Sequence, residues 1–204
     1  LEIPKGSRTV LLGENGCGKT TLMRLIAKLS RPTSGTITQH LNEKRRKRFK
    51  GNRLWYKKVG VVYQNPDYQL FMPTVEKEIC FGAKSPEYAE KIAELFQIKH
   101  LWHRHPQSLS EGQKRRVSIA AVVASQPEVL LLDEPTVGQD YDGLCGMIEI
   151  LNRLHLETGN TVITITHDVR CAEALCDRAY LIENGVVAKA GGKELVRSYF
   201  SSYI

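Results

Sequence analysis

No stretch of this sequence is apolar for long enough to cross a bilayer. Its longest uninterrupted apolar run, Ile119 to Ala124, is six residues, far short of the roughly 20 that a membrane helix needs. Any role at a membrane must therefore pass through a partner. The sequence opens without a charged-then-apolar leader, so export is not expected. Cysteines are odd in number, five, and scattered at Cys17, Cys80, Cys145, Cys171 and Cys176 without metal-site spacing. That pattern fits reduced thiols in a cytosolic protein rather than a disulfide framework. Net positive charge is also missing from most of the chain. Residues 43–58 carry a balance of +8 against a total of +7, so everything else together is −1. That segment has only Phe49, Trp55 and Tyr56 as interleaved aromatics. It is either a solvated loop or strand edge, or a contact for phospholipid headgroups, RNA or DNA.

What is present is enough for a core: 204 residues, 42% hydrophobic, suit one α/β domain with a small subdomain. Val10 to Leu12, Val59 to Tyr63, Val129 to Leu132 and Thr161 to Thr166 are short apolar or β-branched runs of the kind expected for buried parallel strands. Helical patterns alternate with several of them. One carries Leu22, Leu25, Ile26 and Leu29; another carries Leu144, Met147, Ile148, Leu151 and Leu154. Glu183-Asn184-Gly185 between two apolar runs predicts a hairpin. From Gln64 to Ser110 the pattern turns helical, broken by Pro66, Pro73, Pro86 and Pro106, which reads as a helical insertion. The expected division is a core of residues 1–63 and 127–204 and a helical subdomain of residues 64–126.

The octapeptide Gly13-Glu14-Asn15-Gly16-Cys17-Gly18-Lys19-Thr20 fits the phosphate-loop pattern at every position, between an apolar run and a helical one. Glycines let backbone N–H groups wrap a polyphosphate, Lys19 places a cation on its β- and γ-phosphates, and the Thr20 hydroxyl reaches Mg²⁺. Thr21 follows in the same turn. Downstream, Val129 to Leu132 runs into Asp133-Glu134, which places two carboxylates at the carboxyl edge of the sheet, where open α/β folds bind ligands. Asp133 would hold the Mg²⁺ shell and Glu134 would polarise a water for attack on the γ-phosphate. Between these motifs stands Leu109-Ser110-Glu111-Gly112-Gln113, then Lys114-Arg115-Arg116. Ser110 and Gln113 have the spacing of a capping box, and a helix N-terminus is also an anion site.

Phosphate loop, pentapeptide and strand-end Asp-Glu, in this order, resemble the nucleotide-binding domain of ATP-binding-cassette (ABC) ATPases over nearly the whole chain. The resemblance implies a P-loop α/β fold with a small helical subdomain and a few antiparallel strands, and ATP with Mg²⁺ as ligands. It also implies further site residues. Gln64 matches the glutamine that contacts Mg²⁺ and water, His167 the switch histidine on the γ-phosphate, and Val137-Gly138-Gln139-Asp140 the D-loop. Ser110, Gly112 and Gln113 would serve the nucleotide of a second ABC domain packed head to tail. Tyr63 to Phe71, Thr74-Val75-Glu76 and Arg104-His105-Pro106 look like ATPase subunits of energy-coupling-factor and cobalt or nickel importers. Such a subunit works beside a transmembrane partner on the cytoplasmic face of the membrane.

Three departures from the family pattern stand out. Glu111 replaces the first glycine of the signature pair, Val137 and Gln139 are atypical of the D-loop, and no aromatic before Gly13 offers itself to stack on adenine. Rival readings are a soluble ABC ATPase acting on nucleic acid and a regulatory module that has lost turnover. Against the first, only 46 positions separate Gln64 from Ser110, too few for a long coiled coil, and nucleic acid is not the expected partner. Retention of Glu134 and His167 opposes the second. His100, His103 and His105, without acidic partners nearby in sequence, read as surface histidines rather than a metal site.

Overall fold

The structure, a computed structural model, describes residues 1–38, 55 and 58–202. Apart from Trp55 and Lys58, the basic segment lies outside the described residues. Trp55 donates its indole N–H to the Ile26 carbonyl at 2.9 Å, and Lys58 pairs with Glu128 at 2.6 Å.

Six strands form one sheet in the order β2-β3-β4-β1-β5-β6. They are β1 (Arg8–Leu12), β2 (Val59–Val62), β3 (Val129–Asp133), β4 (Thr161–Ile165), β5 (Arg178–Glu183) and β6 (Val186–Gly191). All neighbours are parallel except β5 and β6. β1, β3 and β4 are buried on both faces, which is why they read as continuous apolar runs instead of alternating ones. Between β5 and β6, Asn184 (φ 50°) and Gly185 (φ 78°) both take positive φ, as the predicted two-residue hairpin requires.

Helices cover both faces. α1 (Lys19–Ile26) follows the phosphate loop, and α2 (Val75–Gly82), α3 (Pro86–Leu95) and α4 (Glu111–Ala124) make up the insertion. α5 (Tyr141–Thr158), α6 (Val169–Ala174) and α7 (Lys193–Ser201) complete the set among the described residues. The prolines that interrupt the insertion open its helical turns: Pro66, Pro86 and Pro106 each sit in a first turn, where a missing N–H leaves no bond unmade. Side chains of Thr74, Ser85 and Ser110 cap α2, α3 and α4.

Successive residues of a strand face opposite ways, and the apolar clusters follow that rule. Leu130 and Leu132 point to the face covered by Ile79, Ile92, Phe96, Val117, Met147 and Leu151; Leu131 points to the face of Met23 and Ala27. The insertion thus shares one continuous core with the sheet. Phe96 is wholly buried there, and truncating a side chain of that kind typically costs about 3–5 kcal/mol.

Two boundaries differ from expectation. The stripe on α1 was expected to include Leu29, yet Lys28 takes φ 58° and ends the helix first, leaving Leu29 57% exposed. Met23 and Ala27 carry the buried face instead, with Leu22 and Ile26 half-buried on its flanks. β2 stops at Val62 rather than Tyr63, and on its outer edge Gln69 stands in for a further strand: its Oε1 accepts the Tyr63 N–H at 2.9 Å and its Nε2 donates to the Val61 carbonyl at 2.7 Å.

Candidate functional site

Residues 13–18 turn the chain from β1 into α1, and glycines make the turn possible. A Cβ at Gly13 would stand 2.3 Å from the Ile182 carbonyl oxygen, so only glycine lets the loop lie against β5. Gly16 (φ 82°) and Gly18 (φ 107°) occupy the left-handed region that disfavours side chains. Gly18 is the N-cap of α1 and offers it no side-chain hydrogen bond. The first turn therefore keeps its partial positive charge and its N–H donors for a ligand. Lys19, only 7% exposed, donates from Nζ to the carbonyls of Gly13 (2.7 Å) and Glu14 (2.8 Å). The loop is closed around its own cation. From outside, the Cys17 carbonyl accepts the Gly185 N–H at 3.1 Å, so the β5–β6 hairpin braces it.

β4 lies between β1 and β3, and Ile165 is in register with both Leu11 and Asp133. That register puts the phosphate loop, Asp133-Glu134 and Thr166-His167 in one row at the carboxyl edge. Asp133 and Glu134 are buried, and burial pushes both carboxyls above the ordinary range. Thr20 and Lys19 oppose the shift at Asp133; the His167 backbone N–H opposes it at Glu134, while Asp133 adds to it. Thr20 Oγ1 lies 3.5 Å from Asp133 Oδ2, which groups two oxygens of the type that Mg²⁺ prefers.

Glu134 takes φ 52°, unusual for a residue with a side chain and worth about 1–3 kcal/mol of strain. Its N–H bonds to the Ile165 carbonyl at 2.9 Å, and its Oε2 accepts the His167 N–H at 3.3 Å. Oε1 is buried and has no hydrogen-bond partner among the described residues. A buried acceptor without a donor is destabilising, and a water placed for attack would supply one. His167 Nε2 lies 3.1 Å from Asn15 Oδ1 and 3.7 Å from Glu134 Oε1, joining the acidic strand end to the phosphate loop.

The pentapeptide opens α4 as its spacing predicted. Ser110 Oγ accepts the Gln113 N–H (3.3 Å) and Gln113 Oε1 accepts the Ser110 N–H (3.1 Å). Glu111 turns its carboxylate to Lys114 at 3.4 Å. Among the described residues no hydrogen bond joins Ser110, Gly112 or Gln113 to the phosphate loop of the same chain. Gln64 is exposed beyond β2 and is held by its main chain: Arg115 donates from one guanidinium nitrogen to the Tyr63 carbonyl at 2.7 Å and from another to that of Gln64. The structure thus gathers Asn15, Lys19, Thr20, Asp133, Glu134 and His167, and leaves the Gln64 side chain and the pentapeptide unbonded to them. His105 and His103 serve elsewhere. His105 Nδ1 accepts the Gln107 N–H at 3.2 Å, and His103 Nδ1 lies 3.5 Å from Glu76.

Comparison with known proteins identifies the family. A family model described as ABC transporter matches residues 1–137. The chain belongs to the ABC transporter family. Its fold is the family's ATPase cassette. Among curated relatives of this cassette, the energy-coupling factor transporter ATP-binding protein EcfA2 of Bacillus cereus is 40% identical over 98% of this chain and 71% of that protein. Its namesake in Lactococcus lactis is 41% identical over 94% and 69%. Of solved structures, cbiO1 from Clostridium perfringens, part of the ABC transporter complex cbiONQ, superposes with a TM-score of 0.81 at 33% identity, over 97% of this chain and 82% of that one. A dimeric ATP-binding cassette in a post-hydrolysis state with ADP and Pi gives 0.78 at 25%, over 95% and 88%.

Sequence reasoning assigned no role to Arg115 in this ABC cassette. Its only signal was the run Lys114-Arg115-Arg116, which does not say that one of three cations is 2% exposed and bonded to carbonyls about 50 positions earlier. Lys114 is similar: it reaches Asp67 at 2.9 Å.

Proposed function

We propose that this chain hydrolyses ATP as one of two ABC cassettes packed head to tail, driving a membrane-embedded subunit of an energy-coupling-factor type importer. Several observations support the reading. The curated relatives are named as energy-coupling factor transporter ATP-binding proteins, and one structural neighbour is part of a transporter complex. The observation that carries it is the row where Asn15 and Thr20 of the phosphate loop meet the strand-end residues Asp133, Glu134 and His167. Main-chain N–H groups of residues 13–21, Asn15, Cys17 and Thr21 included, hold the phosphates, with Lys19 on the terminal pair. Thr20, Asp133 and Gln64 are the oxygen donors for Mg²⁺, which when bound neutralises charge on the phosphates. Glu134 takes the proton of the attacking water, and His167, held by Asn15, orients the terminal phosphate. Ser110, Gly112 and Gln113 serve the nucleotide of the opposite cassette.

In this reading residues 1–63 and 127–204 form the catalytic core and 64–126 the subdomain that presents the signature. The protein would sit peripherally on the cytoplasmic face, beside the membrane-embedded subunit; no helix among the described residues is long and apolar enough to cross a membrane itself. Glu134→Gln should keep ATP affinity while turnover falls about 10²- to 10⁴-fold. Unchanged turnover would remove Glu134 from its role. Co-purification of a transmembrane subunit from detergent-solubilised membranes tests the transport half, and its absence from the purified assembly would overturn it.

A further inference from the structure

Gln139 departs from the family pattern, and the structure gives its side chain a defined seat. Its Nε2 donates to the Gly112 carbonyl at 2.8 Å, within the first turn of α4. Two glycines make room for the amide. A Cβ on Gly112 would lie 3.1 Å from Gln139 Nε2, and one on Gly143 would lie 2.6 Å from Gln139 Oε1. A third, Gly138, takes φ 79°, and a Cβ there would touch that of Glu111 at 3.4 Å. The loop after the acidic strand end is therefore fitted against the signature turn of its own chain.

The link back to the catalytic row is short and stiff. Val137 N–H bonds to the Glu134 carbonyl and Gln139 N–H to that of Thr136, both at 3.3 Å, so residues 134–139 form two consecutive turns. Thr136 is buried beneath them. Asp140 then caps α5 through the Gly143 N–H at 2.8 Å, which anchors the far end. Gln139 is held on both sides before it reaches Gly112.

We infer that Gln139 is a positioning residue: its amide sets the signature turn, Ser110 to Gln113, at a fixed place relative to this chain's own Asp133-Glu134. This rests on the proposed trans role of the signature. A misplacement of about 1 Å is enough to slow catalysis about 10²-fold when groups act by positioning. The effect should therefore appear in turnover and not in the grip of the phosphate loop on its nucleotide.

The test uses the full-length protein assembled with its cassette partner and transmembrane subunit. Gln139→Met keeps length and packing but loses the donor; Gln139→Asn keeps the donor on a shorter arm and covers the case in which the first variant misfolds. Both should lower kcat for ATP about tenfold with KM changed less than about twofold, because one hydrogen bond is being removed from an oriented assembly. In the chain alone, binding of a fluorescent ATP analogue should be unchanged, and amide exchange in residues 109–116 should quicken. Wild-type kcat in both variants, or a loss confined to KM, overturns the inference. Lys19→Ala, measured alongside, separates the two claims: if its affinity for nucleotide stays within twofold of wild type, the proposed function fails, whereas wild-type kcat in the Gln139 variants beside an inactive Lys19→Ala sinks only the positioning role.

Discussion

Two helix N-termini face the chemistry of this protein, and they are built in opposite ways. α1 begins at Gly18, which caps it with no side chain, and Lys19 in its first turn points back into the loop. α4 begins at Ser110, where a full capping box consumes both side chains that could serve as caps. The first end is left with donors for an outside ligand; the second is internally satisfied and clamped by Arg115, Lys114 and Gln139. Both are anion sites in principle. Only the one without a cap is organised to grip a polyphosphate by itself, and the other is organised to hold its shape until something is brought to it.

Breaking the open end should have the largest effect. Lys19→Ala removes charge-assisted bonds worth about 1.5–3 kcal/mol, so ATP affinity measured by calorimetry should fall about 10- to 100-fold and hydrolysis should vanish. If affinity stays within twofold while the fold is intact by circular dichroism, the contrast between the two helix ends carries no functional meaning.

Breaking the clamped end should act on stability first. Arg115→Met strips the Tyr63 and Gln64 carbonyls of a donor in a partly buried setting. Leaving such groups unpaired costs about 1–3 kcal/mol, partly offset because a charge that burial already disfavours is removed with it. Chemical denaturation should show the loss, and nucleotide affinity of the chain alone should barely move. An equal drop in affinity would mean that the two ends are not separate devices.

The open end was legible in the sequence and the clamp was not. Gly13 to Thr20, Asp133-Glu134 and His167 are local strings at the ends of apolar runs, and adjacent parallel strands align such ends without further instruction. The capping box is equally local, three residues apart. Arg115 to Tyr63 and Gln139 to Gly112 join positions 52 and 27 apart, and neither pairing has a periodic or motif signal. Gln139 showed only as a departure from a pattern, its seat between two glycines being a fact of three-dimensional fit. Helix registry was misjudged for a related reason. Spacing alone favoured Leu22, Leu25, Ile26 and Leu29, but the phosphate loop fixes where α1 starts, and that start turns Met23 and Ala27 to the sheet.

The smallest expected effect sharpens the comparison from the open side. Burial raises the Glu134 carboxyl above the ordinary glutamate value of about 4.3. Between that value and the raised one, the folded chain holds more protons than the unfolded chain, so stability falls as pH rises through the window. Glu134→Gln removes this group from the titration, together with its repulsion with Asp133, whose carboxyl is shifted in the same direction. The variant should therefore melt above wild type at pH 8, with the gap closing as pH falls toward about 4. A gap that is constant with pH would mean that the unpartnered Oε1 is not held in a poorly solvated place, and the argument that it awaits a water would lose its footing.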